Sequence, residues 1–415
     1  MTANISEIVF ARHAPVRAFG VMDGELAIGG VTLSRLAERV GRTPFYAYSR
    51  SAITRRVAEL RALLPAGVEL HYAIKANPMP AVVQLLAGLT DGLDVASARE
   101  MATALDTGTP PARISFAGPG KTAAEISQAV AAGVVLNLES ELQFEQALAA
   151  GERLGVAPAL AIRVNPAFEL KASGMKMGGG PKAFGIDEER VPALAARVEA
   201  AGLKLRGFHI YSGSQNLSAA AIIDAQQKTV DLGLRLAAPL ARGIDWLNIG
   251  GGFGVPYFPN EQPLDAAAVG AALDDLVHRA RAAQGVPLVL ELGRWLVAEA
   301  GIYVCRVLDR KISQQQVFLV CDGGLHHHLA ASGNFGQVIR KNYPVAVGNR
   351  IGAAERAVQT VVGPLCTPLD VLADRMEMAG AQPGDLIVVF QSGAYGASAS
   401  PSAFLSHPRV VEVLA

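Results

Sequence analysis

The chain is poor in cysteine. Cys305, Cys321 and Cys366 are its three, and no two are spaced as a pair. That argues against a disulfide framework or a zinc site and points to a reducing compartment. Net charge is also lacking: Lys plus Arg number 37, as do Asp plus Glu. A balanced charge gives no electrostatic reason to expect nucleic acid or an anionic membrane as partner. The first twenty residues include Glu7, Arg12, His13 and Arg17 and lack an apolar stretch, so no secretory signal is expected there. No uninterrupted apolar run is long enough to span a bilayer. Solenoid-type repeats and low-complexity tracts are absent. The expectation is a soluble, cytoplasmic protein.

What is present is apolar bulk and regular alternation. The 415 residues are 51% hydrophobic and 18% charged, enough for a large core and two or three domains. Residues 1–40 hold short strand-like pieces, such as Phe19 to Ile28, broken by Gly20, Gly24, Gly29 and Gly30. Residues 52–64 read as an amphipathic helix with Ile53, Val57, Leu60 and Leu64 on one face. Strand-like runs then fall near 69–75, 93–97, 113–117, 134–138, 159–165, 206–212, 245–250 and 288–292, with helix-like runs between them. In the run 188–201, Asp187 is placed to cap, Glu188 and Glu189 occupy the first turn, and Pro192 pushes the regular helix later. Eight strands with crossovers predict an α/β fold, a parallel (β/α)8 TIM-like barrel, with an open doubly wound sheet as the competing architecture. Gly174 to Pro181 interrupts the pattern as a glycine-rich loop. Beyond about residue 297 strands dominate, at Val317 to Cys321, Val358 to Val362 and Leu386 to Phe390. The expected domains are an N-terminal segment, 1–40, contributing to a β domain; a barrel, 41–296; and a C-terminal β-rich domain, 297–415.

The chemistry of such a barrel belongs at the C-terminal ends of its strands. Lys75 stands there in His71-Tyr72-Ala73-Ile74-Lys75-Ala76-Asn77-Pro78, where Asn-Pro stops the first strand. An amine at the mouth of an apolar strand is costly to bury charged, which favours a nucleophilic neutral form; a strand-end lysine reaching solvent is the alternative. Asp94 lies on the second strand, Arg163 and Asn165 end the fifth, His209 and Ser212 lie on the sixth, and Glu291 and Arg294 end the eighth. Gly250, Gly251 and Gly252 follow the seventh, where bare backbone can crowd around a phosphate; a plain tight turn is the alternative. Glu291 could equally be a structural partner of Arg294. His326, His327 and His328 are consecutive and so point in different directions, which gives no metal-ligand set. A lysine amine, an anion cradle, an acid and a histidine together suit one cofactor, pyridoxal 5'-phosphate.

The motifs YAIKAN, LDVAS, FHIYSGSQ, IGGGFG, ELGR, GPLCTPLD and SGAYG occur in that order. They resemble the fold-type III pyridoxal-phosphate decarboxylases, the diaminopimelate and ornithine decarboxylase family, over about residues 40–415. The resemblance implies an alanine racemase/decarboxylase-like fold and a homodimer with shared active sites. It implies that Lys75 carries the aldimine, Asp94 supports the site, His209 stacks on the cofactor ring and Glu291 pairs with the pyridine nitrogen. Ser212, Gly252, Arg294 and Tyr395 would hold the phosphate. Cys366 would reprotonate Cα from the second subunit after the quinonoid forms, and Asp322 would reach the site across the dimer. Arg294, Asp322 and Thr367 are the candidate substrate contacts. Thr367 stands where ornithine and diaminopimelate enzymes carry an acid after the cysteine. Ala330 and Asn334 stand where diaminopimelate enzymes carry an arginine and a tyrosine. A site without those charges should bind a charged distal group poorly. The loop at Gly174–Pro181 and the stretch Asp322–Leu329 look like the exosortase A system-associated subgroup, and also like decarboxylases of amino acids tethered to an acyl carrier protein. Lys171, Lys176 and Lys182 could then meet the carrier. A racemase or epimerase on the same scaffold, or a non-catalytic pyridoxal-phosphate carrier, are the alternative functions.

Overall fold

The fold comes from a computed structural model that describes residues 8, 10, 12–171 and 174–415, with the backbone alone at Met175 and Lys176. The described residues form two compact units. One comprises Val57–Val255 and Leu264–Gly293; the other comprises the chain up to Arg56, Pro256–Pro263 and Arg294–Ala415.

The first unit is a closed barrel. Its strands are β1 (Val68–Ala73), β2 (Gly92–Val95), β3 (Ile114–Phe116), β4 (Val135–Leu138), β5 (Leu160–Asn165), β6 (Leu205–Ile210), β7 (Trp246–Gly251) and β8 (Leu288–Leu292). Each runs parallel to the next. β8 returns to β1 with Glu291 opposite His71, which closes the ring and removes the open-sheet alternative. β2, β4, β5 and β8 are buried along their whole length, as strands covered on both faces must be. Ser97, Thr122, Ser140, Ser218 and Asp265 each accept the backbone N–H three residues on, starting five of the crossover helices.

Two local expectations are corrected. Asp187 caps no helix: it lies in a two-residue strand beside β5, and its carboxylate accepts from Asn165 Nδ2 at 2.8 Å. The helix runs Val191–Ala200 with Pro192 in its first turn, where a missing N–H costs nothing. Lys75 lies one turn beyond β1, in the short 3-10 segment Ile74–Ala76.

The second unit is β-rich. Its long strand Gly301–Ser313 pairs through its first half with Phe45–Tyr48 and Leu386–Val389, and through its second half with Gln316–Cys321. Phe45–Tyr48 also pairs in parallel with Val411–Leu414. This fully buried FYAY run is therefore a strand of the β unit, although the expected barrel span was 41–296. Leu26, Ile28, Leu33, Phe45, Ile302, Val304, Val388 and Phe390 share one apolar core. The loop after Leu386–Val389 lies backbone to backbone on the residues after Arg294: Gly393 N–H donates to Ala298 O at 2.9 Å, and a Cβ at Gly393 would collide with Val297 O. We expect Gly393→Ala to lower the unfolding free energy by about 2 kcal/mol, read as a fall in the denaturant midpoint.

Candidate active site

Four strand ends of the barrel converge on one carboxylate. Glu291, on β8, is 4% exposed. Lys75 Nζ lies 3.6 Å from its Oε1, and His209 Nε2, from β6, lies 2.9 Å from its Oε2. Burial pushes the Glu291 carboxyl up, but Lys75, His209 and Arg163 outweigh it and hold it well below the ordinary carboxylate range. The Lys75 side chain is 45% exposed and faces both this carboxylate and the ring of Tyr211, 5.6 Å away. The expected apolar burial of the amine is thus replaced by a half-exposed setting beside a negative charge.

Asp94, on β2, is buried, and its Oδ2 lies 3.4 Å from His71 Nδ1 on β1. Gly92 makes room for that imidazole, since a Cβ there would stand 2.5 Å from His71 Nε2. Burial pushes His71 down, but Asp94, Glu69 and Glu291 raise it above its ordinary value. The signal for His71 was present in the sequence, as an imidazole inside an apolar strand.

A second buried network supports the first. Glu139, just beyond β4, accepts from Arg163 Nη1 at 3.2 Å, Gly118 N–H at 2.5 Å and Gly185 N–H at 2.9 Å. Lys121 Nζ donates to Gly118 O at 2.6 Å and Asn137 O at 2.9 Å. Burial lowers the Lys121 ammonium to about 8, against the pull of Glu139. Burial pushes Glu139 up, but Arg163, Lys121 and the two glycine N–H groups hold it below its ordinary value. Neither Glu139 nor Lys121 lies in a recognisable motif, so neither was expected in the site.

At the end of β7, Gly250 and Gly252 have φ of 67° and 75°. Asn248 Oδ1 accepts from Gly250 N–H at 2.8 Å, so one donor of the triplet is held within the turn. A Cβ at Gly252 would stand 2.5 Å from Gly213 O. Ser212 O accepts from Met177 N–H and Gly178 N–H, which ties the glycine-rich loop to β6. Lys171 is exposed and Lys182 half-buried beside that loop; the Lys176 side chain lies outside the described residues.

The remaining sequence-predicted residues belong to the β unit. Arg294, two residues past β8, donates from Nη1 to Tyr257 Oη at 3.0 Å and lies with its Cζ 4.6 Å from the centre of the Tyr395 ring. Burial opposes its charge, but Tyr257, Tyr395 and Tyr343 raise its pKa above the ordinary value. Tyr395 has φ of 52°, a backbone strain of the kind kept where a side chain must be aimed. Asp322 accepts from Arg306 N–H at 2.8 Å and from the Thr43 hydroxyl. Cys366 is exposed, whereas Cys305 and Cys321 are buried. Thr367 Oγ1 accepts from Leu369 N–H, and Asn334 Nδ2 donates to Ser332 Oγ at 2.8 Å. The three histidines diverge: His327 Nε2 meets Pro408 O, His328 Nε2 meets Ser392 Oγ, and the His326 ring lies beside His407.

Residues 50–298, more than half of the chain, match the family described as pyridoxal-dependent decarboxylase, pyridoxal binding domain. This chain belongs to that family. It is 38% identical to an L-glutamyl-[BtrI acyl-carrier protein] decarboxylase of Niallia circulans over 90% of this chain and 88% of the relative. It is 33% identical to a diaminopimelate decarboxylase of Aquifex aeolicus, over 94% and 91% of the two chains. The crystal structure of diaminopimelate decarboxylase from Helicobacter pylori complexed with L-lysine superposes with a TM-score of 0.81 at 28% identity, covering 92% and 94%. The protein is a pyridoxal 5'-phosphate-dependent amino-acid decarboxylase. Its barrel suits that cofactor on two counts: His209 Nδ1 is buried without a hydrogen-bond partner, and the Gly250–Gly252 turn has no room for side chains.

The buried charges set a pH dependence. The folded-state pKa of Glu139 lies below its ordinary 4.5, so its pairing stabilises the protein above about that pH and the gain is lost as pH falls through the folded value. Glu139→Gln should therefore be less stable than the parent at neutral pH, with the gap closing below about pH 4.5 in denaturant titrations.

Proposed function

We propose that this decarboxylase acts on an amino acid joined to a carrier protein through its distal carboxyl group. Removing CO2 from Cα requires a free α-carboxylate and a free α-amine. A carrier linkage must then use the distal end, which turns a charged carboxylate into an uncharged ester-type bond. The observation that carries this reading is the lack of charge at Ala330 and Thr367, where the family's free-acid and free-amine enzymes have an arginine and an acid, together with Asn334 in place of their tyrosine. The 38% identity to a glutamyl-carrier decarboxylase supports the same class. Lys171, Lys176 and Lys182 are placed along the chain to meet an acidic carrier surface.

When bound, pyridoxal phosphate supplies an electron sink for the pair left on Cα. Lys75 would hold it through its amine, His209 would contact its ring, and the ionised Glu291 would hold a proton at the pyridine nitrogen. Asp94 supports the site through His71. The turn Gly250–Gly252, Ser212, Arg294 and Tyr395 would hold the phosphate. An acid at the ring nitrogen favours decarboxylation over racemisation, because it makes the sink stronger. The enzyme is a cytoplasmic homodimer in which Cys366 gives a proton to Cα and, with Asp322, completes the site around the partner subunit's Lys75. Among the described residues no helix is long and apolar enough to cross a membrane.

Two measurements test this. Carrier-linked glutamyl substrate should exceed free glutamate and diaminopimelate in kcat/KM by at least about 100-fold, and equal rates would refute the tether. Cys366→Ala should lower kcat by about 100-fold or more. Mixing it with inactive Lys75→Ala should restore activity through hybrid dimers, whereas a site made by one protomer stays silent.

A further inference from the structure

The β unit holds a guanidinium in an unusual way. Among the described residues no carboxylate pairs with Arg294; its Nη1 donates to Tyr257 Oη at 3.0 Å, and its Nε is buried without a partner. The Tyr257 and Tyr395 rings lie 5.5 and 4.6 Å from its Cζ. Tyr257 is itself fixed. It packs on Tyr343 with ring centres 4.8 Å apart, and Gln391 Nε2 donates to the preceding carbonyl, Pro256 O, at 2.8 Å. Tyr257 lies on Pro256–Pro263, the segment that follows β7 in sequence yet belongs to the β unit. A carboxylate partner would neutralise the arginine. A phenol and two ring faces orient it and leave its full charge for an incoming anion.

We propose that Tyr257 is the positioning residue for Arg294, holding the guanidinium ready for the cofactor phosphate. This rests on the reading that Arg294 takes that phosphate. Tyr257 touches neither substrate nor reacting atoms in this role; its hydroxyl acts through Arg294 alone. The preference for pyridoxal phosphate over pyridoxal reports that role, because a general loss of structure weakens both ligands alike.

The test is titration of the full-length protein, freed of cofactor, with pyridoxal phosphate and separately with pyridoxal, followed by absorbance. Tyr257→Phe should weaken pyridoxal phosphate binding by about 10- to 100-fold, the range for a hydrogen bond to a charged group, and pyridoxal binding by less than about twofold. Arg294→Met serves as the reference and should narrow the same ratio at least as far. If Arg294→Met narrows the ratio and Tyr257→Phe does not, the positioning role is wrong and the phosphate reading stands. If neither variant narrows it, Arg294 does not take the phosphate and the proposal falls with that reading. Equal weakening of both ligands in Tyr257→Phe, with a lowered melting temperature, also overturns it, since that is the mark of a structural residue.

Discussion

A carboxylate removed from water stays ionised only where cations and donors replace the lost hydration. Glu291 meets that condition because the barrel closes. Lys75 from the β1 end, Arg163 from β5 and His209 from β6 all bear on one side chain of β8. An open doubly wound sheet would not pair β1 with β8. The cations need compensation in turn. Arg163 is held by Glu139, which also gathers the N–H groups of Gly118 and Gly185. The interior at this end is therefore an alternation of charges in which each group is a condition for its neighbour, and removing one strands the next.

The two units solve the problem of a buried cation differently. In the barrel Arg163 is met by the carboxylate of Glu139 as well as by the Phe184 ring. In the β unit Arg294 is met by phenol and aromatic faces, and its charge is stabilised without being cancelled. The first arrangement locks loops together. The second leaves the positive charge without an opposing carboxylate among the described residues.

Much of this was legible in the chain because strand ends in a barrel are marked by composition. Lys75, Asp94, His209 and Glu291 lie on or at the end of apolar strand-like runs, and the strand–helix alternation assigned those runs to one barrel. Glu139 and Lys121 were not legible, since each is an ordinary charged residue in a βα loop and its burial depends on partners far along the chain. Phe45–Tyr48 was misplaced for a related reason. A short apolar run carries no mark of which sheet it will join, and its partners lie beyond residue 300. Lys75 was expected to be buried because its flanks are apolar, but the chain turns after Ala73 and lifts the side chain clear of the strand.

The pairing of Phe45–Tyr48 with Val411–Leu414 also has a temporal consequence. Synthesis proceeds from the N-terminus, so one edge of that strand exists long before its mate leaves the ribosome. The barrel residues emerge in between and can pair among themselves at once. The order of assembly is thus written into the threading. The barrel strands can pair before Val411–Leu414 emerges, whereas Phe45–Tyr48 must wait for that strand to complete its parallel pairing.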